Sequence, residues 1–331
     1  MVKSKILRII LIVVCIVIAI LSPTVFYKKI TTNSYFTPQE YKGIIRLWHI
    51  DTFEGGIGSR GEFLSKRAIE YEKSNTGQLI LICVHSIESA QKALKNGECP
   101  DLISYGAGIT ETASLAYPLS SLNFKGGNIS MENFAYPWCY GKYAIFSLKG
   151  EIDLNNLSGK TVINSQGGIV AAALSDIKTD YEIEEPINAY VNFINGKYDY
   201  LIGTQRDVCR FQSRNLEVQM QPLGEYSELY QYISLLTNDK IKSVIAKKFI
   251  NYLLSENVQK KLTTISMMSV NYKIYNSDNI HMQQLELSKT KTTISVFTPL
   301  STRQQFYDNS ITALNGDSEA LKKIKNFLIY I

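Results

Sequence analysis

The run from Ile44 to Asn75 constrains this chain more than any other stretch of it. An apolar, β-rich segment, IIRLWHID, leads into the glycine-rich turn FEGGIGSRGEF and then into the helical text LSKRAIEYEKSN. A strand that turns through glycines into a helix places bare backbone amides and a helix N-terminus at the carboxyl edge of a sheet, where open α/β folds bind ligands. The pattern continues downstream: LILICVHS reads as a strand, ESAQKALKNG as a helix closed by Gly97, PDLISYG as a strand and ITETASLA as a helix. That βαβαβα order implies a parallel sheet wound by right-handed crossovers. In the first helix Phe63, Leu64, Arg67, Ala68 and Tyr71 fall on one face, and Ser59 with Glu62 has the order of a capping box.

A second unit begins near Tyr136. PWCYGKYAIFSL is aromatic and extended, NNLSGKTVINS gives a loop and strand, and QGGIVAAALSDI is a glycine turn opening a short apolar helix. EEPINAYVNFINGK reads as a helix and YDYLIGT as a strand, followed by a polar turn, QRD, and LEVQMQPLG. EYSELYQYISLLT is tyrosine-rich and partly alternating. DKIKSVIAKKFINYLLSENVQKKLTTI predicts a long amphipathic helix pair, with Ile245, Phe249, Tyr252 and Leu253 at helical spacing.

At the N-terminus Lys3, Lys5 and Arg8 precede an apolar run from Ile9 to Leu21, the order of an export signal. The run extends to Tyr27 and approaches the roughly 20 residues that span a bilayer. No small-x-small cleavage site follows, so an uncleaved anchor is expected ahead of a cleaved signal, with Cys15 in mid-membrane. The net charge of +5 is matched by Lys3, Lys5, Arg8, Lys28 and Lys29, which leaves the remainder neutral. A neutral body without a Lys/Arg block has no electrostatic footprint for nucleic acid; ALKKIKNFL, with Lys322 to Lys325, reads as the solvated face of a helix. Cys83, Cys99, Cys139 and Cys209 show no CxxC spacing, so no zinc site is expected. Two disulfides would suit an oxidising exterior, whereas Cys83 in its strand reads as a small buried hydrophobe. Some 300 residues outside the anchor exceed the roughly 100–200 of one domain, and two are expected.

FEGGIGSRGEFLSKRAIEYEKSN, PDLISYG, FINGKYDYLIGTQRD and FINYLLSENVQKKL, in this order from Ile44 to Val270, resemble the extracellular solute-binding proteins that serve ABC importers. The resemblance implies an α/β, two-lobed periplasmic-binding-protein-like fold of type 2, each lobe a largely parallel sheet flanked by helices, after an N-terminal membrane segment. It implies residues 1–30 as signal or anchor, 31–135 with 226–275 as the first lobe, and 136–225 as the second. Residues 276–331 form a helical or extended tail of unassigned lobe. In such a family Ser104, Tyr105 and Gly106 end a strand facing the cleft, and Asn195 to Thr204 form the second lobe's ligand-facing strand and turn. Phe249 to Gln259 is the structural helix after the return crossover. The expected mechanism is capture by hinged closure, for delivery to the membrane subunits of an ABC permease, by a monomer without cofactor or metal.

A cleft of this kind needs aromatic platforms and a few fixed polar groups. The chain has 21 Tyr and 13 Phe, with Tyr105, Tyr136, Trp138, Tyr230 and Tyr232 near the inferred lobe junctions. Glu54 either hydrogen-bonds ligand hydroxyls or an ammonium, or is a solvated carboxylate complementing the helix N-terminus; Gly55 and Gly56 beside it permit close approach. Arg206 is either a planar fork for a carboxylate, phosphate or sugar oxygen, or the partner of Asp207, and Thr204 and Gln205 share its two readings. Trp138 either stacks on a sugar face or is a hinge or core tryptophan. Trp48 reads as core, and Gly167 with Gly168 either presents amides or allows tight strand–helix packing. The three histidines, His49, His85 and His281, lie apart, and HExxH, GxSxG and GxxxxGK[ST] are missing. The expectation is therefore a non-enzymatic binder of a small polar solute, sugar or oligosaccharide first; the alternative is a membrane-anchored sensory or scaffold ectodomain of the same fold.

Overall fold

Alternating strand and helix text becomes two five-stranded sheets with one shared plan. The computed structural model describes residues 42–119, 133–165 and 167–330; the predicted membrane segment lies outside them, and among the described residues no helix is long and apolar enough to cross a membrane. The first sheet has the order β2-β1-β3-β10-β4 and the second β7-β6-β8-β5-β9. Its first-sheet members are β1 (Gly43–Ile50), β2 (Gln78–His85), β3 (Leu102–Tyr105), β4 (Tyr136–Tyr140) and β10 (Tyr230–Leu235). The second contains β5 (Tyr143–Ser147), β6 (Lys160–Asn164), β7 (Asp180–Glu184), β8 (Tyr200–Thr204) and β9 (Gln219–Leu223).

In each sheet three strands are parallel, and one antiparallel strand then joins the fifth: β10 between β3 and β4, β5 between β8 and β9. The sheets are thus mixed rather than largely parallel. The reason is that β10 and β5 enter from the crossovers between the sheets, so each runs against the helix-linked strand beside it. The chain leaves the first sheet after Tyr140, crosses at Gly141–Lys142 and returns through Gly224–Leu229 to β10.

The helices carry their expected faces. In α1 (Arg60–Ser74) Phe63, Leu64, Arg67, Ala68 and Tyr71 are buried, and the Ser59 hydroxyl accepts from the Glu62 amide at 3.2 Å. Helix α2 (Ile87–Lys95) ends where Gly97 turns to φ +83°, and the Glu98 amide bonds the Ala93 carbonyl at 3.0 Å. This is the left-handed stop that glycine permits without steric cost. ITETASLA yields only a single turn, α3 (Thr112–Leu115). In the second lobe α4 (Gly168–Leu174) and α5 (Pro186–Ile194) flank the sheet on different faces.

QRD is not a turn. It opens α6 (Gln205–Ser213), because Thr204 and Asp207 form a reciprocal capping box in which Asp207 accepts from the Thr204 amide at 2.9 Å. The predicted helix pair forms as α7 (Lys240–Leu253) and α8 (Glu256–Lys260), the latter passing into a 3₁₀ turn over Lys261–Ile265.

The C-terminal tail touches both lobes. It runs through α9 (Ile280–Leu287), β11 (Thr292–Thr293), α10 (Leu300–Leu314), α11 (Ser318–Lys325) and β12 (Ile329–Tyr330). Val296 is buried among first-lobe residues such as Ile103 and Tyr105, whereas Phe306 and Ile324 are buried with Ile163, Ile202 and Tyr226 of the second lobe and hinge. The four described cysteines are free thiols.

Candidate ligand-binding cleft

The parallel strands of the two lobes end toward one another. On the first lobe the edge is formed by the loops after β1 and β3. They pack so closely that a β-carbon on Gly106 would collide with the Thr52 hydroxyl. On the second lobe the edge is formed by the turn after β6 and by the first turn of α6.

The glycine turn after β1 reaches across this gap. Glu54 pairs with Arg210 of α6, which also bonds Asp207 at 2.8 Å, and Arg206 Nη1 donates to the Gly56 carbonyl. The Gly56 amide lies 3.1 Å from Met267 Sδ, and the Ile57 amide donates to the Ile265 carbonyl at 3.0 Å. A β-carbon on Gly56 would strike that carbonyl, so only glycine fits. Gly55 is less confined; its β-carbon would lie 3.4 Å from Arg60. Phe53, at the head of the same turn, packs against the second-lobe cluster, and the Arg60 guanidinium lies over its ring at 4.0 Å.

Polar residues buried beneath the first-lobe edge hold this turn. Ser104 Oγ lies 3.1 Å from His49 Nδ1, 3.0 Å from Trp138 Nε1 and 3.1 Å from Gln231 Nε2. Trp138 and Gln231 are donors, so the serine hydroxyl gives its own proton to His49 Nδ1, and His49 Nε2–H faces Asp51 Oδ1 at 3.1 Å. Arg60 Nε donates to the same Asp51 oxygen at 2.7 Å. Burial lowers the His49 pKa against the pull of Asp51, so the ring is neutral. At Asp51 burial works upward, but the His49 hydrogen bond and the Arg60 charge outweigh it and hold the carboxyl at about 2. Ser, His and Asp are here in the order of a hydrolase triad, yet Ser104 and His49 have no exposed surface. Ser104 Oγ is also saturated by three neighbours, so the arrangement positions a turn and offers no nucleophile.

The hinge side of the cleft has a second buried cluster. The Glu228 carboxylate accepts from Tyr307 and Tyr226, and Arg303 lies 3.3 Å from it. Arg303 and Tyr307 lie one turn apart on α10, and a β-carbon on Gly108 of the loop after β3 would come within 3.0 Å of Arg303 Nη1. Gly167, at φ +78° ahead of α4, would meet the Tyr143 hydroxyl and Glu228 if it carried a side chain. Its part is thus close approach of backbone to side chains.

The structure brings together Glu54, Gly55, Gly56 and Arg206 at the gap between the lobes. Thr204 lies just beneath as the cap of α6, and Gln205, with no exposed surface, accepts from the Lys142 amide of the first crossover at 2.9 Å. The aromatic residues lie elsewhere. Tyr105 is fully buried with its hydroxyl 2.9 Å from Ser234 Oγ, and burial pushes its pKa up to about 12. Tyr136 donates to Asn133 Oδ1 at 2.7 Å, Trp138 stacks on Phe63, and Tyr230 stacks on Tyr140. These rings are packed in the protein interior in this conformation. The residues missed by sequence reasoning are Asp51, Arg60, Arg210, Glu228, Arg303 and Tyr307. Arg210 had a signal, its i,i+4 spacing from Arg206, which becomes meaningful once α6 is read as a helix.

No protein-family model matches the chain, and no curated protein sequence matches it. Solved structures do match. A cyclo/maltodextrin-binding protein complexed with maltotetraose superposes with a TM-score of 0.60 at 12% identity, over 87% of this chain and 97% of that one. The GacH receptor of Streptomyces glaucescens GLA.O, solved unliganded and with acarbose, superposes with a TM-score of 0.57 at 12% identity, over 85% and 95%. A GABA receptor gives 0.59 at 13% identity, over 83% and 98%. The chain therefore has the two-lobed fold of extracellular solute-binding proteins.

Proposed function

We propose that this protein captures a small polar solute between its lobes outside the cytoplasm, by hinged closure, and passes it to an ABC permease. The observation that carries this reading is the meeting of the two sheets' carboxyl edges. Charged groups from both lobes converge there, and buried guanidinium N–H groups remain without partners among the described residues, Nη1 of Arg60 and Nε of Arg206. Such donors suit a ligand rich in oxygen acceptors, since an unpaired buried donor is costly to leave. Sugar or oligosaccharide is the first ligand class, supported by the maltotetraose and acarbose complexes of proteins with this fold. The N-terminal basic and apolar run supports tethering at the membrane face where a permease would be met.

The test is thermal unfolding of the full-length chain against sugars, oligosaccharides, amino acids including GABA, peptides, polyamines and oxyanions. A ligand that binds only the folded state raises the midpoint by mass action. The expected result is a saturable shift with one class, weakened in Arg206→Ala and Glu54→Ala. A folded protein that responds to no class refutes solute capture.

A further inference from the structure

Beside the second crossover, at the end of α4 remote from the cleft, lies a cavity of ≈ 460 Å³. Its lining includes Glu225 of the crossover, Lys289 and Lys291 of the strand segment beside it, Thr290, and Lys325 and Tyr330 from the C-terminal end of the chain. The volume lies within the range of small-molecule sites. Among the described residues three lysines and one carboxylate line the cavity. Glu225 is taken by Lys291, whereas neither Lys289 nor Lys325 has an acidic partner among the described residues. The Thr290 hydroxyl is shielded from solvent and hydrogen-bonds the Tyr230 hydroxyl on the side of the adjoining cavity. An adjoining cavity of ≈ 300 Å³ shares Lys289 and Thr290 and extends to the buried Lys142.

From this we infer a second binding site, distinct from the interlobe cleft, that takes a phosphate- or sulfate-type oxyanion on Lys289 and Lys325. Two ammonium groups without acidic partners among the described residues supply positive charge and donors at one cavity. Lysine, a compact cation with three donors, serves a tetrahedral anion as a point charge. The position gives the site a mechanical reach. The Lys291 amide donates to Gly224 O at 2.9 Å, the Thr292 amide to Glu225 O at 3.0 Å, and the Ser227 amide to Thr292 O at 3.1 Å. An anion held here therefore braces the strand that is bonded to the crossover on which the lobes turn.

The experiment compares sodium phosphate and sodium sulfate with sodium chloride at equal ionic strength on the full-length protein. It reads the unfolding midpoint and hydrogen exchange of peptides covering 224–227 and 289–293. The expected result is a saturable rise of about 2 °C or more with an oxyanion, with slower exchange in those two peptides. In Lys289→Ala/Lys325→Ala, both at exposed positions, the apparent affinity falls at least ~10-fold, equivalent to about 1.4 kcal/mol. Lys66→Ala/Lys248→Ala, which removes the same charge from the first lobe, keeps the wild-type response. An equal response in both double variants, or no difference between oxyanion and chloride, overturns the site. A small-molecule phosphate ester that outcompetes inorganic phosphate would identify the anion as a group on a larger ligand.

Discussion

Trp138 has no exposed surface, a parallel stack on Phe63 and a hydrogen bond to Ser104. Truncation to alanine is expected to cost about 3–5 kcal/mol of stability, seen as a lower denaturant midpoint. A Trp138→Ala protein of wild-type stability would contradict this packing. His49 gives a pH signature. Its folded pKa is lowered, so above about pH 6.5 both states are neutral, and below it the unfolded chain takes up a proton that the folded ring refuses. Stability is therefore lost as pH falls below 6.5, while Asp51, held at about 2, stays ionised through the window to pH 4. His281, also lowered by burial, contributes in the same sense. The unfolding midpoint of His49→Asn is expected to fall less between pH 7 and pH 5 than that of wild type; equal slopes would remove His49 from the account. At this scale the sequence was readable where a side chain's neighbours are local. Trp48 stood out as core from its strand alone. The companions of Trp138 come from positions 63 and 104, and no local pattern distinguishes a ring facing them from one facing a ligand.

At the scale of elements, the glycine turn and α6 divide the same lesson. The strand–turn–helix around Gly55 and Gly56 was legible because its signals, glycines followed by a serine cap and an amphipathic run, lie within one short stretch. The reason Gly56 must be glycine was not legible, since the obstructing carbonyl belongs to Ile265, far along the chain. Gly56→Ala is expected to cost about 1–3 kcal/mol by overpacking and to displace the turn from α6, whereas Gly55→Ala, with looser surroundings, should cost less. Equal midpoints for the two variants would count against the docking of this turn. Helix α6 was missed because its cap reads as a polar turn until Asp207 is paired back to Thr204. The antiparallel β5 and β10 were likewise hidden, since strand direction depends on where a crossover enters a sheet rather than on the strand's own residues.

For the whole molecule, two lobes were legible from length and from the repeated strand–helix order. The role of the tail was not, because Val296, Phe306 and Ile324 find partners in different lobes. Small-angle scattering of the wild-type protein is expected to fit the closed arrangement described here. Phe53→Ser combined with Glu54→Ala should enlarge the radius of gyration without loss of secondary structure, and an unchanged scattering profile would show that the turn after β1 does not hold the lobes together. The inserted Phe53 ring has a further consequence. Separation of the lobes must wet an aromatic surface that the second lobe now covers, at a cost on the order of 1 kcal/mol. The turn is thus built like a spring clip, biasing the equilibrium between the lobes toward shut.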